Sequence, residues 1–236
     1  MKLNDYLNAK GIFFIALFTV LTYVGMGINF SKLVGAENQF FTLFQFFGPI
    51  AGSFLGPIAG AVTVLFAQVI NFVLTGKQVE LINLLRLTPM IFAAIYFGMK
   101  KDQLKASAVI PILAMAAFVL HPVGQQVWFF SLYWAIPVLA RIFLSNNLFV
   151  KSLGATFTAH AVGGAIWIWT IPMTAEAWIA LIPVVFVERI AFAFGISASY
   201  IAMNLVLNAF ESKIPGKLVS LDKNYSWKNV VSVKAQ

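Results

Sequence analysis

Apolar residues in this chain fall in long blocks, with polar residues confined to short segments between them. Residues 11–28 are apolar on every face, as in a helix surrounded by lipid; a barrel strand would alternate apolar and polar positions. Residues 40–74 form an apolar stretch too long for one span of ~20 residues and tight for two. Pro49 and Pro57 punctuate it, which predicts a hairpin breaking near residues 53–57. A span at 81–99 follows. Residues 106–144 have room for two spans with a break near 121–126. Residues 153–171 read as one span, and 178–210 as one tilted span with a helical extension. The first apolar run follows Lys2 and Lys10, as a secretory signal would. It exceeds the usual ~7–15-residue core of such a signal and lacks a small-x-small cleavage site, so it reads as a retained span. The pattern predicts an all-α polytopic transmembrane bundle of six to eight spans over residues 1–210. A basic, solvent-exposed tail at 211–236 completes the chain.

Charge orients the bundle. With the N-terminus in the cytoplasm, the inner segments hold Lys2, Lys10, Lys100, Lys101, Lys105, Lys151 and the five lysines of the tail, whereas the outer loops hold only Lys32 and Lys77. This asymmetry follows the positive-inside rule and places both termini in the cytoplasm, for six spans as for eight. It also accounts for the net charge of +8 without nucleic acid, whose recognition needs a basic face. The composition agrees: 10% of residues are charged and 61% hydrophobic, where a soluble domain carries about 25% charged residues. The reading is a multi-pass protein of the cell membrane. Cysteine is absent, which excludes disulfides, thiolate metal sites and cysteine nucleophiles.

Two repeated patterns stand out. Gly48, Gly52, Gly56 and Gly60 fall four apart, so on one helix they line a single face and let another helix approach closely. The adjacent prolines leave a second reading, a discontinuous segment beside a substrate site. The other pattern is an internal echo: residues 121–128 begin with His121 and end with Trp128, and residues 160–167 begin with His160 and end with Trp167. Each half places His, the residue four on (Gln125 or Gly164) and Trp on one helical face. Arg141 and Arg189 close a second pair of similar stretches. A parallel duplication and chance similarity between apolar sequences both remain open. Two histidines without a nearby carboxylate make a poor metal site, so no metal is expected.

Ionisable groups inside apolar stretches are costly and face a cavity or a partner. Arg86, Glu188 and Arg189 are such groups, whereas Arg141 sits near a cytoplasmic helix end, where it snorkels. Neighbouring helix positions do not face each other, so Glu188 and Arg189 are expected to have separate partners, with Arg86 opposite Glu188. Gln68, Asn71 and Asn83 are expected at similar depth. These polar groups serve a structural ion-pair network or line a substrate pocket. Phosphate-loop, paired-Asp, His-Glu-x-x-His and Gly-x-Ser-x-Gly motifs are all absent. No catalytic residue or cofactor is therefore expected, and an enzyme is not the reading.

The run of residues 47–62, FGPIAGSFLGPIAGAV, within 45–74, resembles the second and third helices of the substrate-binding (S) subunits of energy-coupling-factor transporters. Gly98–Lys101 also fits their layout. The resemblance implies a small helical importer of vitamins or other micronutrients with an outward-opening cavity. It further implies a transmembrane coupling subunit and two cytoplasmic ATPases as partners. The chain departs from the family in having room for more than six helices. It also lacks the Ala-x-x-x-Ala contact of the first helix: Phe13 follows Ala9, and Val20 follows Ala16.

Three functions follow as expectations. The first is a substrate-capture subunit whose cavity is lined by Gln68, Asn71, Asn83, Arg86, His121, Gln125, His160, Trp167, Glu188 and Arg189. The second is a stand-alone permease or channel coupled to protons through Glu188 and the histidines. The third is a non-transporting subunit whose small-residue faces bind other helices.

Overall fold

The computed structural model describes residues 6–32, 40–100, 103–144, 146–214 and 218–227. Most of the polar loop at 31–39, with Lys2, Lys101 and the last nine residues, lies outside the described residues. Ten α-helices and one two-stranded antiparallel hairpin are described in chain order: α1 (Ala9–Met26), β1 (Asn29–Lys32), β2 (Phe40–Thr42), α2 (Phe44–Leu55), α3 (Pro57–Leu74), α4 (Leu81–Leu85), α5 (Thr88–Gly98), α6 (Leu104–Val119), α7 (Pro122–Gln126), α8 (Ile136–Phe143), α9 (Leu148–Thr170) and α10 (Ala175–Ala209). Residues Trp128–Ala135 form a 3₁₀ segment leading into α8.

Four stretches are long and apolar enough to cross a membrane, namely α1, α3, Leu81–Gly98 and α10, and shorter apolar helices accompany them. Their outward faces carry large apolar side chains in the open, including Phe13 and Val20 on α1, Phe66 on α3, and Phe186 and Phe194 on α10. Apolar groups left outside in this way require a hydrocarbon solvent. The chain has the build of a multi-pass membrane protein.

The hairpin expected within residues 40–74 breaks at Gly56, whose φ of 84° is open to glycine at little cost. Pro57 then opens α3, where its missing N–H is no loss. The four glycines therefore belong to two helices and a corner. Their packing role is still visible in three of them. A Cβ on Gly52 would fall on the Ala94 carbonyl of α5, one on Gly60 would strike the Gly52 backbone, and one on Gly48 would meet Met90. Gly98 joins the same contact from α5, against Gly52 and Pro57. Gly56 serves the turn.

α9 runs through the middle of the bundle. It has α5 on one side, where Gly154 receives the Tyr96 ring, and α10 on the other, where Ser197 and Ser152 hydrogen-bond at 2.9 Å. The internal echo has no structural counterpart. Residues 160–167 lie within this one long helix, whereas Pro122 starts the separate five-residue α7 and Trp128 begins the 3₁₀ segment.

Basic groups gather at one end of the bundle, called the base here. Arg141 is 6% exposed and caps α5, donating to the Met99 carbonyl at 3.1 Å and to the Tyr96 carbonyl. These are last-turn acceptors that suit a cation. Arg141 is thus a buried cap and not the snorkelling side chain that its position in the sequence suggests. Lys151 donates to Ser53 Oγ at 3.3 Å and lies 4.3 Å from the Phe97 ring centroid.

The segment after α10 also departs from the expected exposed tail. Leu218 and Val219 are buried, Ser220 N–H donates to the Phe54 carbonyl at 2.8 Å, and the Asn204 side chain binds the backbone at Asp222 and Tyr225. The Tyr6 hydroxyl lies 2.7 Å from both the Leu55 and the Leu218 carbonyls, sharing its one proton between them. The two described ends of the chain therefore meet at the base. A Tyr6→Phe substitution should lower stability by about 1–2 kcal/mol and speed tryptic cleavage after Lys223. Unchanged proteolysis would show that Tyr6 does not hold the strap.

Candidate functional site

At the end opposite the base, the helices enclose a cavity of about 310 Å³, at the lower end of the ~300–1,000 Å³ range of small-molecule sites. Of the ten residues expected there, Gln68, Arg86, His160, Trp167, Glu188 and Arg189 line it. Asn71, Asn83, His121 and Gln125 do not. Asn83 donates to the Gln78 carbonyl at 3.1 Å in the loop before α4. Asn71 sits near the end of α3, where its backbone carbonyl accepts from Thr75. His121 caps α7, its Nδ1 accepting from Val123 N–H at 3.2 Å, while its ring meets Trp169 edge-on. Gln125 is exposed. These four occupy helix ends and the two five-residue helices α4 and α7, whereas the sequence spacing placed them on long regular helices.

Local chain chemistry explains how Arg86 reaches the cavity. Pro89 cannot donate to the Leu85 carbonyl, so the helix cannot run straight from α4 into α5. The freed groups find side chains instead: Thr88 Oγ1 donates to Leu85 (2.7 Å), and Gln68 Nε2 donates to Leu87 (2.8 Å). Arg86 lies in the gap between the two helices, its guanidinium carbon 5.5 Å from the Trp167 ring centroid. No carboxylate among the described residues pairs with it.

Glu188 pairs with Arg189 (3.3 Å), in contrast to the expected pairing with Arg86. The adjacent-position rule describes short side chains; a long guanidinium bends back to its neighbour, and in a medium of low dielectric the nearest opposite charge dominates. The rest of Arg189 is held by α9 and by aromatic rings. It donates to Thr156 Oγ1 at 3.4 Å and lies 4.4 Å from the Phe192 ring centroid and 4.9 Å from that of Phe41. Phe41 belongs to β2, and Phe30 of β1 also packs on Phe192. The hairpin is thereby tied to α10 at cavity level.

His160 is fixed from behind. Its Nδ1 accepts the Trp134 indole N–H at 2.9 Å, so Nδ1 carries no proton and the neutral ring carries one on Nε2. The imidazole is a donor at its other nitrogen. Trp134 itself is fully buried against Phe118 and Gly164. Among the described residues no group of three histidines and carboxylates is placed to hold a metal ion.

Phe41, Phe44, Gln45 and Trp178 also line the cavity and were missed in the sequence. Gln45 had a usable mark, as a lone amide at the start of an apolar block. The aromatics had none, because they look like the many rings that face lipid.

The fold and cavity define a helical multi-pass membrane protein with a charged, aromatic-lined internal cavity. No family model matches the chain, and no solved structure matches it. Among curated proteins it is similar to "Uncharacterized protein MJ0923" of Methanocaldococcus jannaschii, at 26% identity over 200 residues, covering 77% of this chain and 67% of that protein.

Proposed function

We propose that this protein is the substrate-capture subunit of a small-molecule uptake system in the cell membrane. It binds its ligand in an outward-facing cavity and works with a separate coupling subunit and cytoplasmic ATPases. The observation that carries the reading is the placement of Arg86, Glu188, Arg189 and His160 around one cavity in an otherwise apolar bundle. Charges there are costly in a membrane protein and mark substrate or ion pathways. Eight passes are proposed: α1, α2, α3, α4 with α5, α6, the 3₁₀ segment with α8, α9 and α10. Even parity brings both termini to one face, in keeping with Tyr6 beside Leu218. Lys100 and Lys151 belong to that face and Lys77 to the other, so the base is cytoplasmic and the cavity faces out. The resemblance of residues 47–62 to energy-coupling-factor S subunits supports the division of labour.

The test is affinity purification from the native membrane together with reconstitution. ATPase subunits should copurify, and uptake in liposomes should require them and ATP. Transport by the purified chain alone would sink the capture-subunit reading and favour a proton-coupled permease. A reporter fused after Gln236 should be active only as a cytoplasmic reporter; activity on the outer side would reverse the topology.

A further inference from the structure

We infer that the ligand of this cavity is a small organic monoanion, a carboxylate carried on a flat one- or two-ring body. The inference rests on the capture reading above and names the substrate class of that same site. It starts from an imbalance of hydrogen-bonding groups. Among the described residues, Arg86 Nε, Arg189 Nε and Trp178 Nε1 are buried without a partner, and all three residues line the cavity. Each of these groups donates and none accepts. His160 adds a fourth donor, because the Trp134 N–H occupies its Nδ1 and leaves the proton on Nε2. The acceptors of the wall are the Glu188 carboxylate, one oxygen of which is engaged by Arg189, and the amide oxygens of Gln45 and Gln68. A wall whose buried unpartnered groups are all donors suits a guest that brings acceptors.

Charge gives the same answer independently. Two guanidinium groups line the cavity against one carboxylate, and Arg86 is the one left over. In the membrane interior an unmatched cation is expensive, and a single negative charge on the ligand balances it. A dianion would leave one charge unmatched. A cation would face two guanidiniums with one carboxylate already taken. The break between α4 and α5 adds to this preference, since α5 begins at Thr88 with Pro89 and Met90 on the cavity wall, and the start of a helix favours negative charge.

Shape and size come from the remaining walls. Trp167, Trp178, Phe41 and Phe44 surround the polar groups, and aromatic faces receive flat rings by offset or edge-on stacking. A volume of about 310 Å³ lies at the lower end of the ~300–1,000 Å³ range of small-molecule sites, which suits one or two rings with a short acidic arm.

The experiment uses the full chain in lipid nanodiscs and three probes of equal shape: 2-naphthoate, 2-naphthamide and 2-naphthylmethylammonium. Binding is read by tryptophan fluorescence and by the shift in melting temperature. The carboxylate should bind at least tenfold more tightly than the amide, and the ammonium should not bind measurably. Arg86→Gln should abolish the preference for the carboxylate, and Arg86→Lys should keep part of it. Among the described residues Arg86 has no ion-pair partner to strand, so both variants should fold, and an unchanged melting temperature without probe will show it. Equal binding of carboxylate and amide, or preference for the ammonium, overturns the ligand class and leaves the uptake reading standing. Failure of all three probes to bind the folded protein at millimolar concentration also overturns the class. The capture reading is judged separately, by the ATPase and liposome experiment.

Discussion

A Gly52→Ala protein will accumulate at a small fraction of the parent level and will unfold at a much lower temperature. The contact is between backbones: a Cβ at position 52 lands on the Ala94 carbonyl, while Gly60 and Gly98 press on Gly52 from α3 and α5. A flexible side chain gives way to an added methyl group, but three interlocked main chains do so only by moving whole helices. In a bilayer such close packing replaces the hydrophobic drive between helices, so separating them removes the main source of cohesion at this point. The expected loss is about 3 kcal/mol. Gly48→Ala should be milder, because its neighbour is the flexible end of Met90. Gly163→Ala provides the control: its Cβ would meet only Pro89 in ordinary contact at 3.8 Å, so stability should stay within about 0.5 kcal/mol. Melting temperatures of the three proteins in one detergent decide the matter. Parent-like stability for Gly52→Ala would show that the three helices are not packed backbone to backbone.

Replacing Arg189 by Met should destabilise the protein by about 3–5 kcal/mol, because it strands the half-buried Glu188 carboxylate. The Glu188→Met/Arg189→Met double variant should recover much of that loss. Met is flexible and packs well on aromatic rings, and the slot vacated by Arg189 lies between Phe41 and Phe192. Arg189→Lys should not rescue, since an ammonium lacks the flat guanidinium that lies on both rings while reaching Thr156. A double-mutant cycle read by thermal stability measures the coupling, and uptake in cells measures the function. The expected result is a folded double variant that has lost uptake. Full uptake by that variant would leave the pair a structural role alone and remove it from the binding site.

Much of this architecture was legible from blocks of apolar residues. A chain with so little polar surface has to place its helices in hydrocarbon. The glycine spacing announced close helix contacts, and the charges inside apolar blocks announced a cavity, because burying such groups without purpose is too costly. Arg86, Glu188 and Arg189 reached that cavity for this reason, and Gln68, His160 and Trp167 line it beside them. These conclusions depend on solvation and on local backbone geometry, which the sequence carries directly.

Other features depended on what lies across the bundle. Periodicity alone did not show that Gly56 is a corner, that Pro89 interrupts a span so that Arg86 enters the cavity, or that Arg189 bends back to Glu188. Nor did it show that His160 is held by Trp134, which lies 26 residues earlier in the chain, or that residues 218–225 fold back onto the base. The two halves of the internal echo parted for the same reason: like residue types acquired different surroundings once Pro122 opened a separate short helix and α9 ran on unbroken. The sequence by itself determined the solvent and the helical class, because transfer energies belong to individual residues. The tertiary structure alone decided which charges meet and which donors are left without acceptors, because hydrogen bonds and ion pairs are short-range and join residues distant in sequence.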